Sequence, residues 1–305
     1  MQGFVKVCRY SMLSLLHMCS RRELPRTPEP SAVTSDIGDV GDYNRIMSTV
    51  MALPYALALS HIERARQETR GLSALDLCCG PGFFTLLLNR KLGFRDALGI
   101  DLSHNMIQTA RTNAAAQGLD GQVRFLEGSA FDLSAFAPRS FDLVTFCNGA
   151  HQFERIEEVR RVINQADEVA KPEGMIFVLD PVRQKTRRLT EGYLQVAGQD
   201  YLDQGLSSFY RQFRESLYAA WTPEEFASAV PASTTRRWIH LLPNGLPTFQ
   251  MLLGLPATQG RTYLRPGLSP LELADIVPRH ATLDWRLLSG TFAAGSRTVL
   301  RLPPT

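Results

Sequence analysis

The residues with the clearest chemical content lie between Leu75 and Thr85, in the run Leu-Asp-Leu-Cys-Cys-Gly-Pro-Gly-Phe-Phe-Thr. An apolar strand turns there through Gly80, Pro81 and Gly82 into the apolar opening of a helix, and glycines at such a turn let the backbone approach a ligand closely. Asp76 selects the kind of ligand. A glycine turn before a helix ordinarily favours phosphate, but a carboxylate one step ahead of the turn repels an anion, so a cationic ligand fits better. Asp101 closes the next apolar run, 19 residues after Gly82, the spacing at which an acid accepts from both hydroxyls of a ribose. Capping a helix is the plainer role for such an acid, but Ser103 is itself a good N-cap and leaves Asp101 free. A nucleoside is implied. A dinucleotide is disfavoured, because the third glycine of G-x-G-x-x-G is missing and Asp76 opposes a pyrophosphate.

The elements that must position these residues alternate in character. Strand-like and helix-like segments follow one another from Ala74 to Asp180, the pattern of a parallel sheet wrapped by helices. In open α/β sheets the ligand sits outside the carboxyl ends of the strands, which is where Asp76, Asp101, Glu127, Cys147 and Asp180 fall. Cys78, Cys79 and Cys147 lie near that edge, but adjacent strand residues face opposite ways. Their reading is that of small buried apolar groups, with no metal expected. Ahead of the sheet, Tyr43 to Arg66 reads as two helices divided by Pro54, serving as a lid or a packing helix. Past Asp180, Arg183, Lys185, Arg187 and Arg188 read as a solvated basic run. Tyr193 to Tyr218 reads as a long aromatic-studded helical insertion, and Thr222-Pro-Glu-Glu225 as a capped helix start. Arg237 to Leu242 and Thr248 to Leu253 predict an antiparallel hairpin.

Four of these runs together, Asp76 to Gly82, Gly99-Ile-Asp-Leu-Ser103, Phe141-Asp-Leu-Val144 and Lys171-Pro-Glu-Gly174, resemble the class I S-adenosylmethionine-dependent methyltransferases in order and spacing. The resemblance runs from about Tyr43 to Pro256 and is nearest to small-molecule enzymes such as those of quinone biosynthesis. It implies a doubly wound, mostly parallel seven-stranded α/β sheet, with a helical insertion before the last two strands. It implies S-adenosylmethionine as methyl donor, with Gly80 and Gly82 passing beneath the methionine part and Asp76 arranging the groups that hold its ammonium. Asp101 would take the ribose hydroxyls, with Leu102 and Met106 flanking the adenine. In Gly128-Ser-Ala-Phe131 the family usually has an acid after the glycine. Here Ser129 stands there, an uncharged and weaker acceptor for the adenine amino group, with Ala130 beside it and Asp132 as a substitute only if the loop shifts.

By the same resemblance, Phe146 to Phe153 lies between donor and acceptor, with Cys147 on the cofactor. Methyl transfer from a sulfonium depends mainly on in-line alignment, with a base needed only for weak nucleophiles. His151 is the candidate base, its ordinary pKa being suited to proton removal near neutrality. Tyr43, Tyr193 and Tyr210 are candidates to contact the acceptor. No Asn-Pro-Pro-aromatic run occurs at this place, which lowers adenine and protein-amide acceptors and raises small molecules.

The whole chain has 305 residues, 44% hydrophobic and 21% charged, with a net charge of +3. That excess does not call for nucleic acid or an anionic membrane as partner. Five cysteines without small-domain spacing point to a reducing, cytoplasmic setting. Residues 1–41 read as a floppy extension and linker, whose apolar run from Met12 to Leu16 is too short to span a bilayer. Residues 42–256 read as the catalytic domain, with a substrate-capping insertion at 181–230. Residues 257–305 read as an extension, unless Thr298 to Leu302 is itself the last strand. Rival readings are an RNA or protein methyltransferase and a non-catalytic protein that keeps the cofactor fold.

Overall fold

The computed structural model describes residues 2–29, 51–66, 70–203, 205–232, 234–257, 276–277 and 281–301. From the amino end run two helices, α1 (Gln2–Cys19) and α2 (Ala52–Arg66). Then come β1 (Ser73–Leu77), α3 (Phe83–Leu92), β2 (Asp96–Asp101), α4 (His104–Ala116), β3 (Val123–Glu127), β4 (Phe141–Cys147), α5 (Ile156–Val169) and β5 (Ala170–Pro181). Four helices follow: α6 (Arg187–Ala197), α7 (Gln199–Asp203), α8 (Ser207–Ala219) and α9 (Pro223–Ser228). The described chain closes with β6 (Arg236–Leu242), β7 (Phe249–Pro256), α10 (Thr282–Ala293) and β8 (Ser296–Arg301).

The strands form one sheet in the order β3-β2-β1-β4-β5-β7-β6-β8. The first five in that order pair in parallel and the last three pair antiparallel. The expected α/β sheet and its closing β6/β7 hairpin are present, and β8 adds an eighth strand on β6. The Thr298 to Leu302 reading is therefore a strand, beyond the hairpin rather than in place of it.

Helices cover both faces, so the central strands are apolar without alternation; all seven residues of β4 are buried. One face carries α2, α3 and α10, with Tyr55, Leu59, Phe84 and Phe292 in the same core cluster as Phe177 and Leu253. The other carries α5, whose Val159, Val162, Ile163, Ala166 and Val169 recur at helical spacing and pack with Trp221, Phe226 and Trp238. Pro54 does not divide a helix within the described chain. It sits in the first turn of α2, where its missing N–H costs nothing. α2 is buried around most of its circumference, which makes it the packing helix rather than a lid.

Two of the runs that carry the family resemblance prove to be struts at the amino edge of the sheet. Asp142 accepts from Lys171 Nζ at 2.8 Å, from Ser73 Oγ at 2.9 Å and from Ser73 N at 3.1 Å. Gly174 sits where a Cβ would meet the Lys171, Phe141 and Asp142 carbonyls at 2.9–3.1 Å. The buried Arg236 fills the irregularity, donating to Gly174 O at 2.6 Å and Lys171 O at 2.8 Å.

Three expectations fail for identifiable reasons. The first residues are not floppy: α1 packs on α6 through Leu13, which is buried against Gly192. The insertion is not one long helix but α6, α7 and α8, broken at Gly198 and Gly205. The basic run is not uniformly solvated, because Arg183 is buried and paired with Glu225 at 2.9 Å while Lys185 donates to His17 O at 2.8 Å.

Candidate functional site

The turn between β1 and α3 is built for close approach. Cys78, Gly80 and Gly82 all have positive φ (54°, 53° and 81°). A Cβ on Gly82 would lie 2.6 Å from the Phe125 ring, whereas one on Gly80 would meet nothing within 4 Å. Gly82 is therefore required by the protein's own packing, and Gly80 leaves room for a ligand. Asn113, buried on α4, donates to Pro81 O at 2.8 Å and ties the turn to its neighbour helix.

Asp101 faces that turn from the end of β2. Its Oδ2 accepts from Gly80 N and its Oδ1 from Ser103 N, both at 2.9 Å. Each oxygen keeps a lone pair for a further donor, as a ribose diol requires. Ser103 caps α4 by accepting from Met106 N, as expected, so Asp101 is not the cap. Beside it Leu102 is 68% exposed, an uncovered apolar surface next to the acid, while Met106 is buried. The loop after β3 docks here through Gly128 N to Asp101 O at 2.9 Å. Ser129 is half-buried in that loop and its Oγ accepts from Phe131 N. Ala130 is buried beneath, and Asp132 turns away to its own loop at Ser134. Open space at Gly80, spare acceptors on Asp101 and bare Leu102 fit a nucleoside with an attached chain.

Asp76 works from behind the turn. It is buried and accepts from Thr85 Oγ1 on α3 and Thr145 Oγ1 on β4, both at 2.7 Å. Burial pushes its pKa up to about 6, although the two hydroxyls lower it. An acid raised above its unfolded value of 3.8 favours the folded state less as it ionises. The cost grows between pH 3.8 and about 6 and reaches about 3 kcal/mol above that. Asp76→Asn keeps a donor and an acceptor for the two threonines and removes this cost. We expect it to melt no lower than the parent at pH 8 while binding a cationic ligand more weakly. Thermal melts at pH 4 and pH 8, with calorimetric titration, check this; an equal loss of stability at both pH values would contradict it.

β4 ends on Cys147, whose thiol is buried in the core cluster and raised far above its ordinary pKa by that burial. Asn148 follows with φ 56° and a side-chain Nδ2 that has no partner among the described residues. Gly149 then passes so near β1 that a Cβ would lie 3.2 Å from that of Cys78. Asn148 is a candidate site residue that sequence reading missed, its one signal being the tolerance of Asn for left-handed backbone.

His151 lies in a short 3₁₀ turn, Ala150–Gln152, and is buried. Its Nδ1 is 2.9 Å from Asp180 Oδ1, and its Nε2 is 3.6 Å from Glu29 Oε1. Burial pushes its pKa down, but Asp180 and then Glu29 outweigh that, so the net shift is upward. Glu29 and Arg26 come from the proline-rich segment read as linker, whose described part, up to Glu29, instead crosses the turn at His151 as a strap. Arg26 donates to the carbonyls of His151, Phe153, Glu154 and Ala219 at 2.6–2.9 Å, and its guanidinium lies 3.7 Å from the centre of the Trp221 ring. Trp221 Nε1 in turn donates to Ala150 O at 2.8 Å. Neither Arg26 nor Glu29 carries a local sequence signal, since their partners lie more than a hundred residues away.

A cavity of about 250 Å³ opens at the same edge, beside Phe249, which pairs with Pro181 beyond Asp180. Tyr10, Pro54, Tyr193, Phe213, Phe249 and Leu288 are among the residues that line it, with Lys6 and Asp284, themselves paired at 2.8 Å. Tyr193 thus stands where an acceptor contact was expected, with its phenol raised by burial. Tyr210 packs over Gly198 and does not line the cavity. Tyr43 lies outside the described residues. His151 is brought to the donor edge and not to the cavity wall.

Residues 74–174 match a family model described as a methyltransferase domain. The chain is 31% identical over 128 residues to the 2-phytyl-1,4-naphtoquinone methyltransferase of Trichormus variabilis, covering 41% of this chain and 54% of that protein. It is 27% identical over 139 residues to the demethylmenaquinone methyltransferase of Staphylococcus aureus, covering 45% and 55%. The chain spans about half the length of these curated relatives. Among solved structures, a putative S-adenosylmethionine-dependent methyltransferase from Methanococcus maripaludis aligns with a TM-score of 0.50 at 15% identity, over 76% of this chain and 97% of that one. The geranyl diphosphate C-methyltransferase of Streptomyces coelicolor aligns with a TM-score of 0.50 at 11% identity, over 81% and 96%. These two show the shared fold.

Proposed function

We propose that the domain at residues 74–174, which matches a family model described as a methyltransferase domain, uses S-adenosylmethionine to methylate a small, largely apolar acceptor of the quinone kind. The observation that supports this is an apolar cavity at the same sheet edge as the Gly80 and Asp101 site. A cavity of about 150 Å³ holds benzene, so about 250 Å³ has room for a substituted ring. A cavity of this size, partly open and mostly apolar, suits a small acceptor better than RNA or a protein.

S-adenosylmethionine, when bound, supplies a methyl group on a sulfonium that is open to in-line displacement. Asp101 takes the ribose, Leu102, Met106 and Ala130 bracket the adenine, and the Ser129 hydroxyl stands in for the family's acid. Gly80 and Gly82 keep the backbone low beneath the amino-acid end, and Asp76 contributes its field from behind. Cys147 and Asn148 bound the methyl-bearing end through the turn that follows β4. Tyr193 faces the acceptor. Calorimetric titration with S-adenosylmethionine against NAD, followed by labelled-methyl transfer to a panel of naphthoquinols, tests the reading. Binding of the first and methylation of a ring acceptor are expected; binding of NAD alone would overturn it. Five cysteines, all free, support a cytoplasmic location.

His151 is the proposed base. Asp180 fixes Nδ1, and Nε2, 3.6 Å from Glu29 and so beyond hydrogen-bond length, is the nitrogen that would take a proton. A base must be neutral to act, and its raised pKa places that state higher in pH. The kcat/KM should therefore rise with pH through an inflection above the ordinary histidine value. Glu29→Gln removes one carboxylate that raises it, and should move the inflection to lower pH. His151→Ala should cost about a hundredfold or more in kcat with cofactor binding intact. A loss of only a few-fold, or an inflection that Glu29→Gln leaves in place, would remove the base role.

A further inference from the structure

We propose that α1 docks this protein on an anionic lipid surface, through the face that it turns away from the fold. Val5, Met12, Leu15 and Met18 are 43%, 54%, 61% and 62% exposed. They are four of the nine large apolar side chains that stand so exposed among the described residues. Their spacing places them with the exposed Cys8 and Cys19 on one side of the helix. The other side is apolar as well and is already used. Leu13 is buried against α6, Tyr10 donates to Leu246 O at 2.9 Å, and Ser14 accepts from Leu246 N at 3.1 Å. An exposed apolar strip on a helix whose other side is already covered calls for a second apolar environment.

Charge decides which environment that is. Arg9 and Arg21 flank the strip, are exposed, and have no ion pair among the described residues, and no acid occurs before Glu23. A second copy packed face to face would set these cations against one another. A bilayer with anionic headgroups offers phosphates and carboxylates to the arginines and an acyl layer to Met12, Leu15 and Met18. No helix among the described residues is long and apolar enough to cross a membrane, so α1 lies along the surface. Lys6 and Tyr10 on its inner side line the cavity. Docking therefore brings the wall of that cavity against the layer in which apolar molecules dissolve.

Sedimentation of the full chain with vesicles tests this, using phosphatidylcholine alone and phosphatidylcholine mixed with phosphatidylserine. The parent should partition onto the mixed vesicles about tenfold or more strongly than onto the neutral ones. A triple variant Met12→Ser, Leu15→Ser, Met18→Ser should lose about tenfold or more of that binding. The pair Arg9→Glu and Arg21→Glu should lose the preference for phosphatidylserine. These side chains are exposed, so melting curves of both variants should match the parent and separate lost docking from lost folding. Equal partitioning of parent and triple variant onto the mixed vesicles would overturn the proposal. So would sedimentation analysis showing a dimer of the parent that the triple variant dissociates, because the strip would then be a contact between copies.

Discussion

Asp101→Ala should raise the Kd for S-adenosylmethionine by at least about a hundredfold, with the fold retained. A carboxylate that accepts from two ribose hydroxyls loses two charge-assisted hydrogen bonds on truncation, each contributing about 1.5–3 kcal/mol. The same carboxylate also holds Gly80 N and Ser103 N, so its loss loosens the turn that the ligand must meet. Asp101→Asn keeps the size and one acceptor oxygen, and should fall between parent and alanine. Calorimetric titration gives the affinities, and a thermal melt shows whether the sheet survives. Burial raises the pKa of Asp101, although the amides of Ser103 and Gly80 lower it. Its protonation removes the acceptor, so affinity should fall as the pH is lowered through that raised value. A Kd for the alanine variant within a few-fold of the parent would remove Asp101 from the site.

The second large effect concerns Arg26. Its guanidinium fastens four carbonyls from two separate stretches, the turn that carries His151 and the end of α8. Arg26→Met keeps an unbranched stem over Trp221 and removes every one of those bonds. Displacement by about 1 Å of a positioned group costs about a hundredfold in rate, and this is the expected loss in kcat. Affinity for S-adenosylmethionine should change less than about threefold, because no atom of Arg26 reaches the β1 turn or Asp101. Added guanidinium ion should restore part of the rate. A fall in cofactor affinity equal to the fall in rate would show that Arg26 acts on the whole fold and not on the acceptor end.

The donor side of the site was legible because it is local. Strand, turn and helix from Leu75 to Thr85 span eleven residues, and Asp101 and Ser103 sit at the end of the adjoining strand. Short-range sterics and capping specify such units with little help from the rest of the chain. Asp76 was legible as a discriminating acid, but its place behind the turn was not, because Thr145 lies 69 residues away. Arg183 shows the reverse error. A basic run reads as solvated until a partner is known, and its partner Glu225 is 42 residues distant.

The acceptor side depends on longer contacts still. The segment with Pro25 and Pro28 makes no regular structure of its own and so reads as linker. Its backbone is satisfied instead by Lys185 O and Tyr218 O, and Arg26 and Glu29 are thereby set on the turn at His151. The sequence alone determined the sheet, the glycine turn and the place of Asp101 beside it, all of which follow from patterns within a few tens of residues. Only the tertiary structure decided that α1 lines the cavity, that the strap meets the turn at His151, that Tyr193 lines the cavity and that Tyr210 does not. The contacts of α1 and the strap join residues more than a hundred positions apart, where neither periodicity nor spacing carries information.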